Sequence, residues 1–188
     1  MINANQTKPT IRWMFQTAGR TLALGFGSGL SPFAPGTVGT LWAWALFLMG
    51  QFFFSTADWM WIIGGGLIAA CWICGQVSEE LGLADFGGIV LDEILAFWLV
   101  LLLILPAPFW MQALAFALFR FFDAVKPGPI GIIDRYFKEC AWIAPGSPTT
   151  IPKILWRGFG IVADDLAAAF ATLIIIALLS STQLLPSF

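Results

Sequence analysis

Apolar positions gather into five stretches, Thr40 to Phe54, Trp59 to Gly75, Ile89 to Leu105, Phe109 to Phe122 and Leu166 to Leu185. They predict an all-α, compact integral membrane helical domain built from about five short hydrophobic helices. Several of the runs fall short of the ~20 residues a perpendicular span needs, so tilted, short or partly embedded helices are expected. Ser55-Thr56-Ala57-Asp58 separates the first pair and Pro106-Ala107-Pro108 divides the third run from the fourth. Pro and Gly residues punctuate the segment from Pro127 to Pro152, as connections do. Gly64-Gly65-Gly66 stands inside the second run, where it permits close helix approach. Ile11 to Leu24 mixes Arg12 and Arg20 with Trp13, Met14, Phe15 and Leu22. That mixture predicts an amphipathic helix along the interface, and divides the chain into an N-terminal segment, 1–24, and a membrane domain, 25–188.

If all five stretches cross, alternate loops share a side. One side receives 1–39, 76–88 and 123–163, and with them, or at their edge, all nine basic residues: Lys8, Arg12, Arg20, Arg120, Lys126, Arg135, Lys138, Lys153 and Arg157. Asp58 is left on the other side. The excess of Lys and Arg predicts that the first side is cytoplasmic. A competing topology makes Ile94 to Phe119 one kinked span, which splits both the basic and the acidic residues between two faces.

Composition agrees with a membrane domain. The chain has 188 residues, 59% hydrophobic and 11% charged, with ten tryptophans and a mean hydropathy of +0.86; soluble domains carry about 25% charged residues. A soluble helical domain would lack the polar surface to cover itself. The formal charge of −2 argues against nucleic acid as a partner, since phosphate backbones are bound through clustered Lys and Arg. Cys71, Cys74 and Cys140 are odd in number, and Cys71 and Cys74 lie in an apolar run with no second ligand pair, so they read as small buried hydrophobes. Met1 to Gly19 lacks a signal-peptide core and is expected to stay on the protein.

Against this apolar background, Asp92-Glu93 and Asp164-Asp165 stand at the mouths of long apolar runs, in a chain without histidine. A carboxylate beside hydrocarbon takes up a proton, pairs with a cation or binds a metal, and adjacent ionised carboxylates favour the metal. A solvated cap at a helix N-terminus is the plainer reading of either pair alone. The loop from Gly25 to Gly39 has the small residues and fixed prolines of a backbone cradle for an anion. In it Gly27 and Gly29 offer amides, and Ser28, Ser31 and Thr37 hydroxyls; a simple turn before a membrane helix is the alternative. Arg120, Asp123 and Lys126 recur every third position, close together on a helix, either as a membrane-edge ion pair or as a site. Arg120, Lys126 and Arg135 suit the oxygens of a phosphate ester.

The blocks GFGSGLSPFAPGTVGT (25–40), GGIVLDE (87–93), FRFFDAVKPGPIGIIDR (119–135) and GFGIVADDLAA (158–168) resemble, in this order, phosphatidylglycerophosphatase A. The resemblance implies a multi-pass, magnesium-dependent phosphatase of the bacterial inner membrane, with its active site facing the cytoplasm, that converts phosphatidylglycerophosphate to phosphatidylglycerol. Some members of that family have a histidine-containing loop before the Asp-Glu pair. This chain reads Ala84-Asp85-Phe86-Gly87 there, so a histidine is not essential to its chemistry. The connection from Lys138 to Arg157 looks longer than the family pattern requires, and suits a lid, an interfacial foot or a partner site.

Absence of histidine excludes a histidine nucleophile, and neither a Cys with a properly spaced Arg nor an aspartyl-phosphate signature is present. Metal-activated water remains. In this reading Asp92, Glu93, Asp123, Asp164 and Asp165 are the catalytic and metal-holding residues for Mg2+. Gly27, Ser28, Gly29, Ser31, Thr37, Arg120, Lys126 and Arg135 are expected to bind the substrate phosphate. Two rivals are a small membrane cation transporter or channel lined by the acidic pairs and a head-group transferase, whose spaced-aspartate signature is missing.

Overall fold

A computed structural model of the chain describes residues 9–83, 86–138 and 148–182. Those residues form eight α-helices and one 3-10 turn, with no strand among them. The helices are α1 (Ile11–Met14), α2 (Ala18–Ala23), α3 (Pro35–Gly50), α4 (Thr56–Leu81), α5 (Leu91–Leu103), α6 (Phe109–Val125), α7 (Pro129–Lys138) and α8 (Ile151–Ser181); the 3-10 turn, Gly25–Leu30, joins α2 to α3. The all-α expectation agrees with this architecture.

Two of the helices are not short. α4 has 26 residues and α8 has 31, and each is apolar enough to cross a membrane. At a rise of ~1.5 Å per residue they reach about 39 and 46 Å, beyond a ~30 Å hydrocarbon core. α3, α5 and α6, with 16, 13 and 17 residues, fall short of that thickness. The run that the sequence places at Leu166–Leu185 is only the second half of α8. Thr150 caps this helix through a hydrogen bond accepted from Lys153 N, and Pro152 lies in its first turn, where a missing N–H costs nothing. Proline thus opens the helix here instead of marking a loop. The end of that run, Gln183 to Leu185, and residues 139–147, with Cys140, lie outside the described residues.

Gly158 and Gly160 do not break α8 because a neighbour occupies the space their side chains would need. A Cβ on Gly158 would lie 1.7 Å from the Cys71 carbonyl oxygen, and one on Gly75 would lie 2.0 Å from that of Ile154. Backbone therefore meets backbone where α4 and α8 cross. Gly64 and Gly65, which the sequence offered for close approach, meet nothing within 4 Å; only Gly66 of that triplet packs, against Leu95.

Beyond its first turn α5 is apolar on every side, and its Ile94 to Phe97 and Val100 to Leu102 are all buried. A helix with no polar face belongs inside a bundle; α3, α4, α6 and α8 surround it. Phe97 is the hub, with ring centroids 5.4 Å from Phe119 and 5.9 Å from Phe116. Trp98 Nε1 donates to the Ala43 carbonyl at 2.7 Å, and Trp44 Nε1 donates to Gln112 at 2.7 Å, which satisfies two indoles inside the apolar packing.

The stretch Ile11–Leu24 is two short helices and not one, because Thr10 and Thr17 each cap a new start. Arg20 lies 4.2 Å above the Trp13 ring and donates to Glu80 at 2.8 Å, tying this segment to the end of α4. Ala23 accepts a backbone hydrogen bond from Val90 at 2.9 Å, which fixes the entry to α5.

Candidate functional site

Three helices deliver carboxylates to one end of the bundle. Asp92 and Glu93 lie in the first turn of α5, Asp123 in the last turn of α6, and Asp164 and Asp165 midway along α8. The second acidic pair is therefore not at a helix mouth: α8 runs unbroken past Gly158-Phe159-Gly160 and carries it inward. Asp92, Asp123, Asp164 and Asp165 are all buried. Together with Glu93 they line a cavity of about 170 Å³, shared with Lys126, Asp134, Phe137, Arg157 and the backbone around Gly87 and Gly160.

Asp123, Asp164 and Asp165 each present an oxygen within 4.8 Å of the other two. Asp92 Oδ1, Glu93 Oε2 and Asp165 Oδ2 are buried with no hydrogen-bond partner. Buried carboxylate oxygens are costly when unsatisfied, so the donor set suits a cation. Hard oxygen donors of this kind fit Mg2+ or Ca2+ rather than a soft metal.

Two cations manage the rest of the charge. Arg120 Nη1 donates to Asp123 Oδ2 at 2.6 Å and to Thr40 Oγ1 at 3.3 Å, and lies 3.3 Å from Glu93 Oε1. It stands behind the carboxylates instead of lining the cavity. Gly36 makes room for this arrangement, since a Cβ there would lie 2.2 Å from Glu93 Oε1 and 2.8 Å from Arg120 Nη2. Lys126 bridges Asp164 and Asp134, donating to Asp134 at 2.7 Å. Burial opposes its charge, but Asp164 and Asp134 outweigh burial and hold the ammonium above the usual lysine range.

The expected phosphate cradle is more dispersed than the carboxylates. Ser28 Oγ donates to the Gly25 carbonyl at 2.9 Å and Ser31 Oγ to that of Phe33 at 2.8 Å, so both hydroxyls serve the loop itself. Gly29 and Ser31 line a neighbouring cleft with Leu30, Pro32 and Phe86, which meets the acidic cavity at Gly87. Gly27 has φ +106° and packs near Met14, and Thr37 is half-buried in the first turn of α3. Arg135 is exposed and donates to the Gly131 carbonyl at 3.1 Å, away from the cavity lining.

Asp134 and Arg157 line the cavity, although neither was singled out with the catalytic set. Arg157 stands seven residues before Asp164, two turns away on the same helical face. That spacing is visible in the sequence only once α8 is read as continuous.

The family model for phosphatidylglycerophosphatase A matches residues 21–144. A Haemophilus influenzae phosphatidylglycerophosphatase A is 37% identical over 159 residues, covering 84% of this chain and 86% of its own length. The Escherichia coli phosphatidylglycerophosphatase A is 38% identical over 153 residues, 78% and 74% of the two chains. A Bacteroides thetaiotaomicron protein whose name assigns it, provisionally, phosphatidylinositol-3-phosphatase activity is 30% identical over 162 residues, 83% and 89% of the two. No solved structure matches the chain. Match and relatives together establish that the chain belongs to the phosphatidylglycerophosphatase A family.

Proposed function

We propose that the chain is a Mg2+-dependent phosphatidylglycerophosphatase acting at the cytoplasmic face of a bacterial inner membrane, with the carboxylate cavity as its active site. Phosphatase activity follows from the family; the metal, the residue roles and the side are this reading's own. The observation that carries it is the convergence of Asp92, Glu93, Asp123, Asp164 and Asp165 from three helices on one cavity, with three buried oxygens lacking a protein partner.

Asp92, Glu93, Asp123, Asp164 and Asp165 are the groups that would hold Mg2+. When bound, Mg2+ supplies polarisation of the terminal phosphoryl group and a lowered pKa for water beside it. Lys126 stabilises negative charge on the phosphoryl oxygens as it grows. Arg120 keeps Asp123 and Glu93 aimed at the cavity. One of these carboxylates, not fully engaged with the metal, takes the proton from the attacking water. Water oxygen bonds to phosphorus, the bond to the glycerol oxygen breaks, and that oxygen takes up the proton the carboxylate received and leaves as the hydroxyl of phosphatidylglycerol. The acyl chains stay in the bilayer beside α4 and α8, which accounts for a phosphatase built on membrane-length helices.

A cation channel calls for carboxylates spaced along a route. Here they share one cavity, which favours the phosphatase. The test is phosphate release from detergent-solubilised phosphatidylglycerophosphate. Release that requires Mg2+ and disappears in Asp92→Asn and Asp164→Asn is expected; full release in both variants refutes the metal assignment.

A further inference from the structure

The carboxylates that converge on the cavity are more than one divalent cation can answer. Resting on the functional reading above, we propose that the cavity takes two such ions, one on Asp123, Asp164 and Asp165 and a second on Asp92 and Glu93, with Asp165 shared between them.

Charge is the first argument. Six carboxylates line the cavity, Asp92, Glu93, Asp123, Asp134, Asp164 and Asp165, against two cations, Lys126 and Arg157, an excess of four negative charges. Arg120, behind Glu93 and Asp123, lowers the excess to three. Glu79 and Lys153, paired behind Arg157, cancel each other. One divalent ion leaves this wall still negative, and the substrate that must approach it is a phosphate monoester, close to a dianion at neutral pH. Like charges repel more strongly in a buried site than in water. A second ion turns the balance positive by one, which suits a dianion.

The placement of unsatisfied oxygens is the second argument. Asp123, Asp164 and Asp165 gather oxygens within 4.8 Å of one another, from α6 and α8. Asp92 and Glu93 stand outside that trio, in the first turn of α5. Asp92 is nevertheless only 5% exposed, and its Oδ1 and Glu93 Oε2 are buried with no hydrogen-bond partner. The cations already placed do not answer them. Arg120 reaches Glu93 at Oε1, Lys126 is committed to Asp134 and Asp164, and Arg157 to Glu79. Among the described residues neither Asp92 nor Asp165 has an ion pair. Asp165 links the two sets: it belongs to the trio, is 3% exposed, has a partnerless Oδ2, and of the charges around it that of Asp92 acts on it most strongly. A carboxylate has lone pairs enough on its two oxygens to serve two cations.

The test counts ions on the full-length protein in detergent. After chelation and dialysis the protein is titrated with Mn2+, which takes the same oxygen donors as Mg2+ and is paramagnetic. Bound Mn2+ per chain is measured by equilibrium dialysis, and its state by electron paramagnetic resonance. Wild type should bind two ions per chain, both displaced by excess Mg2+, with the spectrum of a spin-coupled pair. Asp92→Asn should bind one, with the spectrum of an isolated ion, and Asp123→Asn should do the same by emptying the other site. Asp58→Asn, exposed at the start of α4, should keep both, which separates the cavity's ions from loose binding at surface carboxylates. One ion per chain at saturation in wild type, or a coupled pair retained in Asp92→Asn, overturns the proposal. Where Asp92→Asn does not fold, Glu93→Gln decides by the same count. Two ions in a wild type that releases no phosphate from phosphatidylglycerophosphate sink the functional reading and leave the two-ion site standing. One ion in a wild type that does release phosphate sinks this proposal alone.

Discussion

Lys126 Nζ sits between Asp134, 2.7 Å away, and Asp164. It does so from a left-handed backbone conformation, φ 47° and ψ 55°, that an L-residue adopts at some cost. A glycine would relieve the backbone, so the lysine is kept for its charge. Lys126→Gln should lower phosphate release about 100-fold, the scale for losing one aimed donor. The same change removes a positive charge from beside Asp164, so half-maximal activity should need less Mg2+ than in wild type. A titration of the residual activity with Mg2+ that shifts to higher concentration would place Lys126 with the metal ligands' supports and not with the phosphate.

Asp165 is buried and its Oδ2 has no protein partner. Such a group opposes folding until a cation joins it. Asp165→Asn should therefore abolish activity while leaving the thermal midpoint in EDTA equal to or above that of wild type. Wild type should gain stability as Mg2+ is added, by about 2.7 kcal/mol at a hundredfold excess over Kd, and the variant should gain much less. An equal Mg2+-induced rise in both proteins removes Asp165 from the ligand set.

The acidic residues were legible because ionised groups beside long apolar runs have few physical explanations, and Asp92-Glu93 does open α5 as expected. Asp164-Asp165 was read as the mouth of an apolar run because 123–163, with Gly158 and Gly160 in it, was assigned to a connection between runs. Local propensity penalises those glycines, whereas the contact between Gly158 and Cys71 across α4 and α8 rewards one of them. Single-sequence reading does not see that partner. For the same reason it missed Arg157, whose link to the site depends on α8 being continuous. The loop from Gly25 to Gly39 was legible as a tight turn, but which groups its Ser28 and Ser31 hydroxyls bond depends on a fold that spacing alone does not encode.

That contrast between glycines gives a prediction about stability. Gly158→Ala drives a methyl into the Cys71 backbone and should destabilise by about 1–3 kcal/mol or more, read as a lower thermal midpoint in detergent. Gly64→Ala meets nothing within 4 Å and should stabilise by about 0.5–1 kcal/mol through helix propensity alone. A neutral Gly158→Ala would mean that α4 and α8 do not touch there.

The direction of insertion follows from how the helix ends meet. The start of α3, the start of α5 and the end of α6 come together at Gly36, Glu93 and Arg120, and the end of α4 meets the start of α8 at Glu79 and Lys153. At the opposite end Gly50 of α3 packs on Trp59 of α4, and Trp44 stacks at 5.1 Å on Phe109 of α6. Consecutive long elements therefore run in alternating directions, and among the described residues Arg20, Arg120, Lys126 and Lys153 lie at the first end. On the proposed reading, the asymmetry of Lys and Arg puts that end in the cytoplasm. With Cys71, Cys74 and Cys140 replaced, a membrane-impermeant maleimide should label exposed Gln51→Cys in intact spheroplasts and should label exposed Gln16→Cys only after permeabilisation. Labelling of both from outside would put the carboxylate cavity on the wrong side for a lipid made in the cytoplasmic leaflet. It would also withdraw the cytoplasmic assignment of the site while leaving the metal ligands untouched.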